Sequence, residues 1–388
     1  MKISLVKCPD YQPENLNMAI GSAVRLLGGL QEFVKPGERI LIKPNILGSH
    51  SPEECVTTHP EFVRAVVRMV KDAGAIPVIG DGPSVLNGME IFQKTGMAEI
   101  ARQENVELVN LNDSPGRDFQ SKRSKLKKIY ITKYLDGIDG IISLPKFKTH
   151  SLTTITLAVK NLYGLVPGLL KTEYHKIAHS TALFSKILLD IFDIIRPKLR
   201  LSIIDGIQGM DGEGPANGRL RNFNFILAGD DAFALDIVGC ELMGIDPKTI
   251  FTLRESKIML KDIEIKGGAI GEFKIKDPAI PKTHIANYIP ESLAGVLAKF
   301  VWSKPEIMVR ECKLCMKCFD ICPVKSIKKV QDAPRDTPQD STGKIHLKVD
   351  WQNCISCFCC NEVCPHHSIE IRQSSLFRLA KKIAGIRI

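Results

Sequence analysis

Over roughly the first 260 residues, short apolar runs alternate with longer stretches whose apolar positions recur at helical spacing. The runs lie at 40–44, 76–79, 106–109, 140–144, 201–204 and 223–227. Several are nearly uninterrupted, as expected of parallel strands covered on both faces. Helical spacing occupies 59–73, 153–163, 181–195 and 232–243. Each run ends in a polar or glycine-rich segment. The pattern predicts an α/β unit built on a doubly wound, mostly parallel sheet. In such sheets ligands bind beyond the carboxyl ends of the strands, so those polar segments are the candidate site.

From 261 to 304 the pattern breaks up at Gly267, Gly268, Gly271, Pro278 and Pro281. A closing hairpin and then a linker helix near Pro290 to Trp302 are expected. From Pro305 the sequence repeats itself, 311–323 matching 353–365 at an offset of 42 residues. The division is therefore an α/β unit over 1–300, a small α+β unit over 305–375 and a basic amphipathic tail over 376–388. The stretch 331–344, polar and proline-rich, reads as an exposed loop.

Each repeat has the spacing C-x2-C-x2-C-x3-C-P, which is the two-cluster ferredoxin run. Three close cysteines wrap one cubane, and the fourth begins a helix that reaches the other. Cys312, Cys315 and Cys318 are thus expected to share a [4Fe–4S] cluster with Cys364, and Cys354, Cys357 and Cys360 to share a second with Cys322. Zinc would want two pairs at tetrahedral spacing, and disulfides are rare in the cytosol. Cys359, beside Cys360, reads as a small core residue.

Nine of the twelve cysteines lie between Cys312 and Cys364. The chain has 388 residues, 44% of them hydrophobic and 25% charged. That balance is globular and excludes a disordered or fibrous chain. No apolar run approaches the ~20 residues of a membrane span; the richest, 183–195, is broken by Lys186, Asp190 and Asp193. The amino-terminal segment lacks the apolar core of a signal peptide. A cytoplasmic protein without a transmembrane segment is expected. The formal charge of +10 invites a nucleic-acid reading. Two oxidised clusters at about −2 each would lower it to roughly +6. Interleaved aromatics are also missing, so no nucleic-acid partner is expected.

The large unit carries a recurring set of segments. They are Lys43, Pro44 and Asn45; Gly80, Asp81, Gly82, Pro83 and Ser84; Leu-Pro-Lys-Phe-Lys-Thr-His over 144–150; and Val-Lys-Asn-Leu-Tyr-Gly-Leu-Val-Pro-Gly over 159–168. Tyr174 and His175, Asp-Gly-Ile-Gln-Gly-Met-Asp-Gly-Glu-Gly-Pro over 205–215, and Ala234, Leu235 and Asp236 complete it. Together they resemble the family called domain of unknown function 362, over roughly residues 4 to 260. The resemblance implies the fusion to a ferredoxin-type unit, which is common in that family, and the place of a site. It implies no substrate.

Read as chemistry, Lys43, Lys146, Lys148, Lys160 and Lys171 fall in or beside the loops after strands, with His150 and His175. Converging lysines beside glycine-rich turns suit an anion such as a carboxylate or phosphate. Asp81, Asp205, Asp211, Glu213 and Asp236 add carboxylates for proton transfer or for a divalent cation beside a phosphate. Asn45, Ser84 and Asn161 line the same loops. Lys146, Lys148 and His150 are expected to bind and polarise the substrate, with a carboxylate or His175 moving protons. Taken singly, a lysine is as readily solvated and an Asp after a strand as readily a helix cap. The leading expectation is an iron–sulfur oxidoreductase that relays single electrons between an external carrier and an anionic substrate. The alternative is an electron-transfer or binding protein that recognises its ligand without transforming it.

Overall fold

The structure is a computed structural model describing residues 1–84, 88–168, 170–178, 180–288, 302–331 and 345–376. Save for Trp302, Gln331 and Leu376, the expected linker helix, the 331–344 loop and the basic tail lie outside the described residues.

The strands of the large unit are β1 (Lys2–Lys7), β2 (Arg39–Pro44), β3 (Ile76–Asp81), β4 (Glu107–Asn110), β5 (Gly116–Gln120), β6 (Lys128–Thr132), β7 (Gly140–Leu144), β8 (Lys146–His150), β9 (Thr154–Ile155), β10 (Leu199–Asp211), β11 (Arg219–Gly229) and β12 (Glu264–Gly267). Ten of them form one sheet in the order β12-β1-β11-β10-β7-β2-β3-β4, with β8 paired to β10 and β9 to β8. β5 and β6 form a separate hairpin. The pairings among β10, β7, β2, β3 and β4 are all parallel. β11 departs from the parallel expectation, running antiparallel to both β10 and β1. In place of the expected closing hairpin, β12 lies parallel to β1 as a single edge strand.

Strand alternation divides the core between the two faces. Leu41, Ile141 and Ile204 point to one face, and Ile40, Ile42, Ile142 and Ile203 to the other. Helices Thr181–Ile195 and Ala232–Leu242 cover the first face. Pro13–Leu26 and Pro60–Asp72 cover the second. The helix expected over 153–163 is shorter. It is preceded by β9, and its α-helical part is Ala158–Asn161. Thr153, Thr154 and Thr156 are β-branched and disfavour helix, and Thr154 takes a left-handed φ of 68°.

The small unit consists of β13 (Ser303–Ile307), β14 (Ile327–Gln331), β15 (Ile345–Val349) and β16 (Ile369–Gln373), with short helices Lys317–Ile321 and Cys359–Glu362. The offset of 42 maps β13 onto β15 and β14 onto β16. β13 pairs with β16 and β14 with β15, so each repeat's first strand pairs with the other's last. The copies repeat even at strained positions. Leu314, Met316 and Lys325 have φ of 54°, 65° and 52°, and their counterparts Ser356, Phe358 and His367 have 55°, 63° and 49°. Left-handed conformations at non-glycine residues persist only where the surroundings hold them.

Candidate functional site

Buried charge gathers beyond the carboxyl ends of β2, β3 and β7 and along β8, in three groups. In the first, Lys43 Nζ lies 2.7 Å from Asp81 Oδ1, with both side chains almost wholly buried. Asp81 also accepts the backbone N–H groups of Ile46 at 2.7 Å and Gly82 at 2.8 Å. Asn161 donates to Ser143 Oγ at 2.9 Å. Lys171 donates to Asn112 Oδ1 at 2.8 Å, and burial lowers its pKa to about 7, against the pull of Asp81. The motif glycines follow from this crowding. A Cβ on Gly164 would fall 2.1 Å from Asp81 Oδ1, and one on Gly82 2.5 Å from Gly164 O.

The second group is a closed network. Lys146 Nζ contacts Asp205 Oδ2 and Tyr11 OH, each at 2.8 Å, and Tyr11 OH donates to Asp205 Oδ1 at 2.8 Å. His59 N–H donates to the same carboxylate at 3.0 Å, and its ring stacks on Tyr11 at 3.8 Å. Every charge here has a partner.

In the third group the lysines have no carboxylate at ion-pair distance among the described residues. Lys148 Nζ donates to Val56 O at 2.5 Å. Burial, reinforced by Lys160, holds its pKa well below the ordinary lysine value. His150 Nδ1 accepts the Leu152 N–H at 3.0 Å, which places the ring proton of the neutral form on Nε2. That Nε2 lies 3.4 Å from Glu362 Oε1. Both atoms are buried without a hydrogen bond. Burial and the charge on Lys160 keep His150 neutral. Glu362 comes from the small unit, between Cys360 and Cys364, and the charges on Lys160 and Lys148 oppose the upward push of its burial. Asn217 Nδ2, donating to Asn361 O at 2.6 Å, fastens the same junction.

Six expected residues have other surroundings. Asp236 caps the short helix Ala158–Asn161, accepting the N–H groups of Ala158 at 2.6 Å and Val159 at 3.2 Å; it shapes the loop from below. His175 stacks on Phe184 at 4.2 Å, and burial lowers its pKa to about 3, so it is neutral near pH 7 and a poor proton carrier. Glu213 accepts the Lys282 N–H at 2.8 Å, and Asp211 pairs with Arg219 and Arg221 at 2.8 and 3.5 Å. Ser84 donates its N–H to Leu47 O at 3.1 Å. Asn45 Oδ1 is buried without a partner. Tyr11, His59, Asn112 and Glu362 were not singled out from the sequence. Only Glu362 had a signal there, an acid at the position of Asp320 in the first repeat.

The cysteines of the small unit gather around two small pockets. Cys312, Cys315, Cys318 and Cys364 line one. Cys354, Cys357, Cys360 and Cys322 line the other. None of the eight is in a disulfide. No three His, Cys, Asp or Glu among the described residues converge on a single metal ion. Four thiols around each pocket are the donor set that a cubane, with one thiolate to each iron, would take. Matched second contacts reach the sulfurs: Cys322 Sγ has Ser326 Oγ at 3.3 Å, and Cys364 Sγ has Ser368 Oγ at 3.2 Å. Cys359 is buried at the junction with the large unit.

A family model described as a domain of unknown function (DUF362) matches residues 40–241, which hold all three charge groups except Tyr11 and Glu362. The chain belongs to the DUF362 family. It is 34% identical over 253 residues, 65% of this chain and 77% of the relative, to the thylakoid-associated protein sll1697 of Synechocystis sp.. Among solved structures, the lactate racemase apoprotein from Thermoanaerobacterium thermosaccharolyticum matches this DUF362 protein with a TM-score of 0.40 and 15% identity. That match covers 62% of this chain and 56% of the other, a likeness too loose to carry an argument. No helix among the described residues is long and apolar enough to cross a membrane.

Proposed function

We propose that this DUF362 protein is an iron–sulfur oxidoreductase. Its C-terminal repeat is a ferredoxin-type module holding two [4Fe–4S] clusters, and its α/β unit binds an anionic substrate. The two quartets of unpaired cysteines, each around its own pocket, support the module. Clusters held there supply one-electron transfer, with an external carrier as partner. The free thiols also favour the cytoplasm.

The observation that carries the reading is the position of Glu362. Through it the second quartet abuts His150, Lys148 and Lys160. Lys148 is buried with no carboxylate at ion-pair distance, its pKa held well below the ordinary lysine value, and Lys160 lies half-buried near it, so a bound oxyanion would be the complement that returns the proton to Lys148. His150 presents its Nε2 proton into the same corner and is the nearest donor for a substrate oxygen. Lys43 and Lys146 already have Asp81 and Asp205, so they hold the strand ends in shape.

Anaerobically purified protein is expected to contain about eight iron and eight sulfide per chain. Zinc in their place refutes the module. Protein reduced with dithionite is then challenged with a panel of anionic metabolites. Reoxidation by a metabolite alone supports the oxidoreductase. Reoxidation only by a partner protein supports a carrier whose large unit merely recognises its ligand.

A further inference from the structure

We infer that the loop 309–317, around the first cysteine triplet, is the face on which an acidic one-electron carrier protein docks, which leaves the quartet containing Cys322 as the one turned toward the substrate. This rests on the iron–sulfur reading above. The argument comes from the repeat, whose two copies share a backbone and differ in surroundings.

In the first copy, Lys313, Leu314, Cys315 and Lys317 are all exposed. In the second, the matching Ile355, Ser356 and Cys357 are half-buried and Cys359 is buried. Asp320 is exposed, whereas its counterpart Glu362 is 8% exposed and faces His150. Cys359 thus stands, buried, where the first copy has the solvated Lys317. The exposed loop pairs an apolar tip with a basic rim. Val309 is 54% and Leu314 41% exposed, and Arg310, Lys313 and Lys317 surround them against one acid, Glu311. The matching stretch of the second copy has no basic residue at all. An apolar centre with a positive rim complements an acidic protein and speeds its encounter. The exchange is of one electron: the carrier is oxidised by one, the loaded protein is reduced by one, and no bond is made or broken.

The test uses the full, anaerobically loaded chain, with an acidic flavodoxin as the probe and flavin fluorescence as the binding readout. Affinity is expected to fall as salt rises through the range where the screening length shrinks from ~30 to ~10 Å. Lys313→Glu combined with Lys317→Glu should weaken binding about tenfold or more, since rim charges govern such encounters. The matched reversal Lys257→Glu with Lys261→Glu, on exposed positions of the large unit, should change it less than about twofold. Lys313→Arg with Lys317→Arg should retain wild-type binding. Equal weakening by both reversals, or none by the loop pair, overturns the docking face. Iron and sulfide are measured on every variant. A wild-type chain without iron defeats the iron–sulfur reading and this inference with it. A chain with its full iron that binds the carrier elsewhere defeats only the docking face.

Discussion

Lys146 and Lys148 lie two residues apart on one face of β8, each 1% exposed, yet their removal should move stability in opposite directions. Phe147 between them points into the aromatic cluster with Phe223 and Phe225, at centroid distances of 5.0 and 4.9 Å. Lys146→Met strands the buried carboxylate of Asp205, which keeps only Tyr11 and backbone donors. Breaking a buried pair from one side costs about 3–5 kcal/mol. Lys148→Met strands no carboxylate; it frees only Val56 O. Methionine in its place removes a desolvated amine that no carboxylate compensates, so the change should be neutral or stabilise by up to about 4 kcal/mol, the range found when buried ion pairs are replaced by apolar groups. At roughly 2 °C per kcal/mol, Lys146→Met should lower Tm by roughly 6–10 °C and Lys148→Met should leave it unchanged or raise it by up to roughly 8 °C. The pH dependence gives a second check. The unfolded chain protonates Lys148 at an ordinary lysine pKa, and the folded chain only well below it. Between those values the unfolded state binds more protons, so stability rises with pH, and Lys148→Met should flatten that rise. Differential scanning calorimetry across pH 7 to 10, with and without added phosphate, reads both effects. Lys148→Met should also abolish any stabilisation that phosphate confers. A Tm lowered equally by the two substitutions would refute the distinction between a paired and an unpaired lysine.

Asp236→Ala leaves two buried N–H groups without an acceptor and should cost about 2–5 kcal/mol in urea denaturation, whereas Asp236→Asn keeps one acceptor and should cost less than half of that; an unchanged midpoint in both would remove the capping role. His175 has a folded pKa of about 3 against an ordinary 6.5. The unfolded chain therefore binds the extra proton between those values, and stability should fall as pH drops from 6.5 toward 3. His175→Phe, which keeps the stack on Phe184, should remove that part of the acid dependence, and an unaltered profile would count against it. Cys364→Ala and Cys312→Ala should strike the same cluster, each leaving it a three-iron or labile cluster, so the double variant should still retain about four iron per chain, those of the other cluster. A double variant almost free of iron would mean that each run binds its own cluster.

The periodicity of the chain alone placed β2, β3, β4 and β7, and the helices Pro60–Asp72, Thr181–Ile195 and Ala232–Leu242, because burial on one or both faces is written locally in the order of residues. The ferredoxin-run spacing led to the expectation that Cys322 joins the second triplet and Cys364 the first, and in the structure each pocket is lined by those residues. The direction of β11 was not legible: its apolar run is the same whether its neighbour is parallel or antiparallel, and only the tight return from β10 fixes it. Nor did the sequence distinguish Lys146 from Lys148. Whether a buried lysine is paired depends on which distant segment arrives beside it, Asp205 for one and only a backbone carbonyl for the other. The same holds for Asp236, drawn under a helix by its position on the neighbouring one, and for Glu362. Its counterpart Asp320 sits in water, and nothing local tells the two acids apart; the packing of one repeat, and not the other, against the α/β unit brings Glu362 to His150.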